Sequence, residues 1–290
     1  MKNRASLTAE YMALFRALES SRPAGTRLFQ DPYAPFFIHA WRRLLYEAAR
    51  LRPCRDAVEW IFDHQSPGAR AAGIARTKWI DDEVTGALRS CSQLVLLGAG
   101  FDTRAWRLPA AGEVRTYELD HPGTSIVKQA VLRAHVHALD RQVEFVTVDF
   151  NSETLTDALK RSGFDRALPA CFIWEGVTNY LSAEAVDRTL RQVGQSAAGS
   201  LLLFTYVHRG VLDRPESFFG AQKLLSRLRS YGEPWTFGFH PRELDEYLAA
   251  RNLRLLQDLG VAEVWANQGR RPAEMHGYEF YRVASARIPA

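Results

Sequence analysis

The chain has 290 residues, of which 47% are hydrophobic and 24% charged, and carries a formal net charge of +4. That size and balance suit a folded globule with a full core and exclude a disordered chain. Its basic residues cluster only in short groups, Trp41-Arg42-Arg43 and Gly269-Arg270-Arg271, flanked by apolar or acidic neighbours, which reads as solvated surface rather than a nucleic-acid face.

Met1-Lys2-Asn3-Arg4 leads into an amphipathic helix rather than the apolar core of a signal peptide. Over residues 7–20, Leu7, Met12 (or Tyr11), Phe15 and Leu18 recur near helical spacing. Two breaks follow, Ser21-Arg22-Pro23-Ala24-Gly25 and Asp31-Pro32-Tyr33-Ala34-Pro35. A helix is expected from Pro67 to about Arg89, with Ser66 as its N-cap and Pro67 in its first position. Ile80, Val84 and Leu88 step down its inner face, leaving Asp81, Asp82 and Glu83 for the other side.

From Leu94 the rhythm changes. Apolar runs at 94–97, 114–119, 143–148, 170–174 and 201–207 alternate with helix-length segments. Leu155 and Leu159 close at Gly163, and Val186, Leu190 and Val193 follow the cap residue Ser182. Such alternation predicts an α/β fold with a mostly parallel sheet covered on both faces. Residues 210–240 read as loop, rich in aromatics such as Phe218, Phe219, Trp235, Phe237 and Phe239. A helix then starts near Pro241, and strands are expected at 253–259 and 278–284. The expected organisation is a helical cap over 1–90, an α/β core over 91–209, a lid insertion over 210–240, and a return to the core over 241–290.

Open parallel sheets bind ligands beyond the carboxyl ends of their strands. Gly98-Ala99-Gly100 follows the first strand, and Gly98 and Gly100 let the backbone turn tightly beside a ligand. Glu118 and Asp120 close the second strand, where an acid accepts the hydroxyls of a ribose. Asp149-Phe150 after the third offers a carboxylate and a ring for an adenine, and Glu175-Gly176 follows the fourth. Each feature is weak alone; their register along one sheet edge carries the weight. A dinucleotide fingerprint would want Gly or Ala where Thr103 stands, and the nearby Asp102 repels a pyrophosphate. A cationic ligand with a neutral adenosine suits the acids better, which points to S-adenosyl-L-methionine, with NAD as the alternative.

At these residues the chain resembles the leucine carboxyl methyltransferase-like family, in particular its bacterial S-adenosylmethionine-dependent branch, which includes polyketide carboxyl O-methyltransferases. The resemblance rests on Ala17–Pro23, Leu28–Ala34, Arg76-Thr77, Leu97-Gly98-Ala99-Gly100-Phe101-Asp102-Thr103-Arg104, Tyr117-Glu118-Leu119-Asp120-His121-Pro122, Asp149-Phe150 and Glu175–Leu181, and fades in the C-terminal third. It implies a class I methyltransferase Rossmann-like core. It also implies that Arg76 holds the methionine carboxylate, Gly98 and Gly100 its backbone cradle, Asp120 the ribose, Asp149 and Phe150 the adenine, and Glu175 the amino group or a nearby water. Arg76, one turn before Ile80, shares the inner face of its helix; a pair with a site acid is its competing role. The acid common in methyltransferases two residues before the first glycine is replaced by Leu96, and the family's leucine-rich stretch reads Val177-Thr178-Asn179.

Methyl transfer from a sulfonium is an in-line displacement that needs alignment and exclusion of water. A carboxylate acceptor, with a pKa near ~4, needs no base, whereas a phenol near ~10 benefits from one. Tyr206, in the fifth strand, and His208, just after it, are the catalytic candidates; His240 is a further candidate base, Tyr180 joins Tyr206 as an orienting hydroxyl, and Arg16 and Arg209 are candidate clamps for an anionic acceptor. The expected acceptor is a small hydrophobic carboxylate or phenol bound beneath the aromatic lid. Protein carboxyl methylation, an NAD-dependent oxidoreductase and a non-catalytic adenosyl-binding module are the alternatives. Cys54, Cys91 and Cys171 show no paired spacing, no apolar stretch reaches the ~18 residues of a membrane span, and no metal is expected. The expected location is the cytoplasm; composition says nothing of the oligomeric state.

Overall fold

The apolar runs between residues 93 and 207 pair as parallel strands with helices between them. The computed structural model describes residues 6–136, 141–150, 152–268 and 278–290, so that residues 1–4 and the basic group at 269–271 lie outside the described residues. The helices are α1 (Leu7–Ser20), α2 (Ala40–Ala49), α3 (Arg52–Gln65), α4 (Ala69–Ala87), α5 (Arg104–Arg107), α6 (Pro122–His135), α7 (Leu155–Lys160), α8 (Ala183–Val193), α9 (Gly210–Asp213), α10 (Ala221–Tyr231), α11 (Leu244–Ala249) and α12 (Val261–Asn267). The strands are β1 (Gln93–Leu97), β2 (Arg115–Asp120), β3 (Val143–Thr147), β4 (Ala170–Trp174), β5 (Leu201–Val207), β6 (Arg254–Gly260) and β7 (Tyr281–Arg287).

They form one sheet in the order β3-β2-β1-β4-β5-β7-β6, in which β7 runs antiparallel to both neighbours. β1, β4 and β5 are buried along their whole length, as central strands covered on both faces must be. Strand alternation divides their side chains between two cores. Val95, Leu97, Phe172, Trp174, Phe204 and Tyr206 face α7, α8 and α11. Leu94, Leu96, Cys171, Ile173, Leu203 and Val207 face α4 and α12. The order reverses at β1, whose neighbours are β2 and β4, and this opens a crevice at the carboxyl ends of these strands. Among the described residues no helix is long and apolar enough to cross a membrane.

Three local expectations are corrected. Ser66 closes α3 instead of capping the next helix, and Gly68, in the left-handed region at φ 77°, occupies the N-cap of α4. Asp81 does not face solvent: it is buried, with its carboxylate accepting from Arg104 Nε at 2.8 Å and Arg107 Nη1 at 2.6 Å. Residues 210–240 are not simply loop. They contain α10, whose Leu225 and Leu228 are buried, between Gly220 and Gly232, both at positive φ. Of the aromatics there, Phe237 and Phe239 join the core beside Tyr206, while Phe219 is exposed.

Candidate active site

The crevice widens into a cavity of about 540 Å³ bounded by the strand ends, the start of α1, the end of α3 and the segment from α10 to Thr236. Arg76, Gly98, Gly100, Asp120, Asp149, Phe150 and Glu175 all line it. Sequence-distant groups meet there because a parallel sheet delivers all its carboxyl ends to one edge.

Gly98 has φ +70°, and a Cβ at that position would lie 2.4 Å from Val177 Cγ2, so turn and packing both require glycine. Gly100 N–H donates to Asp120 Oδ2 at 2.6 Å, and His121 N–H donates to Asp120 Oδ1 at 2.6 Å. Two backbone donors thus fix the carboxylate at the end of β2. Burial pushes its pKa up, and those N–H groups offset only part of that effect. Glu118, two residues earlier, does not line the cavity: it is sealed inside with its carboxylate 2.6 Å from Lys128 Nζ. Burial, with Asp102 and Asp120 adding repulsion, pushes Glu118 up to about 6 despite that lysine.

Glu175 is held from two sides. Its Oε1 accepts from Arg76 Nε at 2.8 Å and its Oε2 from Arg104 Nη1 at 2.6 Å. Burial opposes its charge, but the two guanidinium groups hold its pKa below the usual carboxylate value. Asp102 likewise pairs with Arg104; against the cost of burial, Arg104, Lys128 and Arg16 bring it down to about 2. Arg104 is therefore the hub that joins Asp81, Asp102 and Glu175, while Arg107 at Asp81 and Arg76 at Glu175 supply the further positive charge. Arg76 both pairs with a site acid and lines the cavity, its guanidinium carbon 4.8 Å from the centre of the Tyr281 ring.

The expected catalytic pair lies elsewhere. Tyr206 points into the core facing α11, and its hydroxyl donates to Asp258 at 2.8 Å. Strand alternation turns its neighbour Thr205 the other way, to a buried place behind the cavity wall, where its Oγ1 accepts the N–H of the wall residue Gly176 at 2.8 Å. The ring of His208 turns back on its own loop, with Nδ1 accepting the Gly210 N–H at 2.9 Å, and packs on Phe218 and His240. Neither residue lines the cavity, and nor does His240. Arg16 reaches the cavity wall but is paired with Asp31 at 2.8 Å, and Arg209 is paired with Asp213 at 3.0 Å.

Several cavity residues escaped sequence reasoning. Tyr278, Tyr281, Tyr231, Arg227 and Glu233 all line it. Tyr278 holds φ +63°, a conformation that bulky residues rarely adopt and that concentrates at functional sites. Tyr180 also lines the wall, its hydroxyl 3.4 Å from Thr8 Oγ1 and pushed up to about 12 by burial. Beside it Asn179 is buried with its Oδ1 lacking a hydrogen-bond partner among the described residues.

The donor set fits S-adenosylmethionine. Asp102, Asp120, Asp149, Glu175 and Glu233 line the cavity against the three arginines Arg16, Arg76 and Arg227, and this excess of acid favours a ligand with a sulfonium and an ammonium over a pyrophosphate. Among the described residues no group of His, Cys, Asp and Glu is arranged to hold a metal ion.

Comparison with known proteins agrees. A family model described as leucine carboxyl methyltransferase matches residues 9–194. A candidate S-adenosyl-L-methionine-dependent methyltransferase of Streptomyces coelicolor is 35% identical over 209 residues, covering 71% of this chain and 71% of that protein. One from Mycobacterium sp. (strain MCS) is 31% identical over 237 residues, covering 77% and 91% respectively. The crystal structure of a methyltransferase candidate from Thermobifida fusca shares the fold, with TM-score 0.61 and 19% identity over 100% of this chain and 97% of that one. So does a Streptomyces avermitilis protein of the duf574 family, with TM-score 0.63 and 13% identity over 98% of each chain. The fold, the acid-lined crevice and these relatives together place the chain in the leucine carboxyl methyltransferase family, as an S-adenosyl-L-methionine-dependent methyltransferase.

Proposed function

We propose that the enzyme methylates a carboxylate of a small hydrophobic acceptor, giving a methyl ester. The observation that carries this reading is the character of the acceptor side of the cavity. Its walls are apolar and aromatic, with Met12, Phe15, Phe62, Leu228 and Trp235, and its nearby hydroxyl, Tyr180, is pushed up to about 12. A phenol so raised stays protonated near neutral pH; it donates a hydrogen bond and does not serve as a base. A carboxylate suits that wall, because it arrives ionised and needs only to be aimed.

In this reading Arg76 takes the carboxylate of the cofactor's methionine, Gly98 and Gly100 let the backbone approach it, and Glu175 takes its ammonium or an intervening water. Asp120 accepts the ribose hydroxyls, and Asp149 and Phe150 hold the adenine. The bound cofactor supplies an electrophilic methyl group. Tyr180 donates to one oxygen of the acceptor and leaves the other free to attack. Residues 210–240 act as a lid that keeps water out, over a helical cap formed by residues 1–90. The lid composition favours a flat, polyketide-like metabolite over a protein tail, because aromatic walls reward a rigid apolar partner.

The test is methyl transfer from isotopically labelled cofactor to paired hydrophobic carboxylic acids and phenols, followed by mild alkaline treatment. A methyl ester releases its label as methanol under these conditions and an aryl ether keeps it. A base-stable product overturns the carboxylate reading in favour of hydroxyl methylation.

A further inference from the structure

Arg227 is the cavity residue whose charge the site does not account for. It lies on α10, half-buried, and lines the wall. Its Nη1 donates to Gln65 O at 3.1 Å and to Ser66 Oγ at 2.7 Å, both at the end of α3. These two neutral oxygens fix the plane of the guanidinium without neutralising it. Among the described residues no carboxylate lies within ion-pair distance of it, whereas Arg16 and Arg76, the other arginines lining the same cavity, are each paired. Tyr278, the residue held at φ +63°, feels both Arg76 and Arg227.

An oriented, uncompensated guanidinium at an apolar wall is a receptor for an anion. We infer that Arg227 anchors an acidic group of the acceptor other than the one that is methylated, so that the substrate is a hydrophobic molecule with two acidic groups. This rests on the methyl-ester reading above. The distinction between the two groups follows from charge. In the transfer a carboxylate and a sulfonium become a neutral ester and a thioether, so negative charge fades from the attacking oxygen. A guanidinium on the reacting carboxylate would stabilise the ground state more than the transition state and slow the reaction. On a second, unchanging acid the same guanidinium binds both states equally and serves recognition.

The experiment uses the full-length protein saturated with S-adenosylhomocysteine, so that the cofactor side is filled. Two fluorescent probes of the same aromatic skeleton are titrated: the anion anilinonaphthalene sulfonate and its uncharged parent N-phenylnaphthylamine. Wild type is expected to bind the anion about tenfold or more tightly than the parent, the scale of one charge-assisted hydrogen-bonded contact. Arg227→Gln is expected to bring the two affinities together while leaving affinity for S-adenosylhomocysteine unchanged. Arg229→Gln, an equal loss of charge at an exposed position of the same helix, is expected to keep the wild-type preference. If Arg227→Gln does not fold, Arg227→Met, which keeps the packing of the stem, carries the same expectation. Persistence of the anion preference in the neutral variant, or no preference in wild type, overturns the anchor. Failure of wild type to bind S-adenosylhomocysteine strikes instead at the assignment of the cofactor side.

Discussion

Arg76 Nε donates to Glu175 Oε1 at 2.8 Å, tying the helix before the sheet to the end of β4. The pair engages the inner nitrogen of the guanidinium, and Arg76 still lines the cavity. One arginine can thus hold a site acid and present its terminal nitrogens to a ligand carboxylate. Arg76→Gln is expected to weaken S-adenosylhomocysteine binding by about 10- to 100-fold, the worth of a hydrogen-bonded charge pair. Methylthioadenosine, which lacks the amino-acid carboxylate, should bind the variant and wild type alike. Calorimetric titration of both ligands checks this, and an equal loss for the two would show that Arg76 only shapes the site.

Asp120 is fixed by the N–H groups of Gly100 and His121, so its carboxylate is aimed before any ligand arrives. Asp120→Asn keeps the shape but replaces one acceptor oxygen by a donor, which faces a backbone N–H or a ribose hydroxyl. Its affinity for S-adenosylhomocysteine is expected to fall by about 10- to 100-fold in the same titration. Retained affinity would remove Asp120 from the ribose role.

Glu233, just after α10, ties that segment to the first helix. Its Oε1 accepts the Leu7 N–H at 2.9 Å and its Oε2 accepts from Thr8 Oγ1 at 2.7 Å, so a carboxylate from after α10 caps the N-terminus of α1. An acid in this place satisfies free amides and complements the helix dipole. Glu233→Ala is expected to cost about 1 kcal/mol, or roughly 2–4 °C in Tm. Hydrogen exchange should speed up over the first turn of α1; unchanged exchange there would mean that the cap contributes nothing to that turn.

Asp102 gives a pH dependence of fixed sign. Its folded pKa, about 2, lies below the ordinary 3.8, so its pairing stabilises the native state above 3.8 and loses that effect as pH falls through 3.8 toward 2. The Tm of wild type should therefore exceed that of Asp102→Asn near neutrality, and the gap should narrow as the medium is acidified below 3.8. A gap that widens on acidification would contradict the pairing with Arg104.

His208 is half-buried and hydrogen-bonded to Gly210, away from the cavity. His208→Gln is expected to leave kcat and cofactor affinity within about twofold of wild type, the range of substitutions remote from a site. A large loss of kcat with an intact fold would restore it as a base.

What could be read along the chain were the features that a short stretch encodes. Glycine and acid after successive apolar runs marked the ligand edge, because a parallel sheet turns the positions following its strands into neighbours. Arg76 was named by the family resemblance, with its place one turn before Ile80 in support, and it lines the cavity; the central strands were legible from their unbroken apolar runs. Only the folded chain decided the rest. Register sent Tyr206 into the core and Thr205 to Gly176, a difference of one residue that local composition does not encode. Asp81 looked solvent-facing until α5 brought Arg104 and Arg107 against it. The cap on Leu7 comes from a residue 226 positions away, and the neutral oxygens that orient Arg227 lie 162 and 161 positions before it. Such contacts depend on where two distant segments end up in space, and the pattern of neither segment alone contains that information.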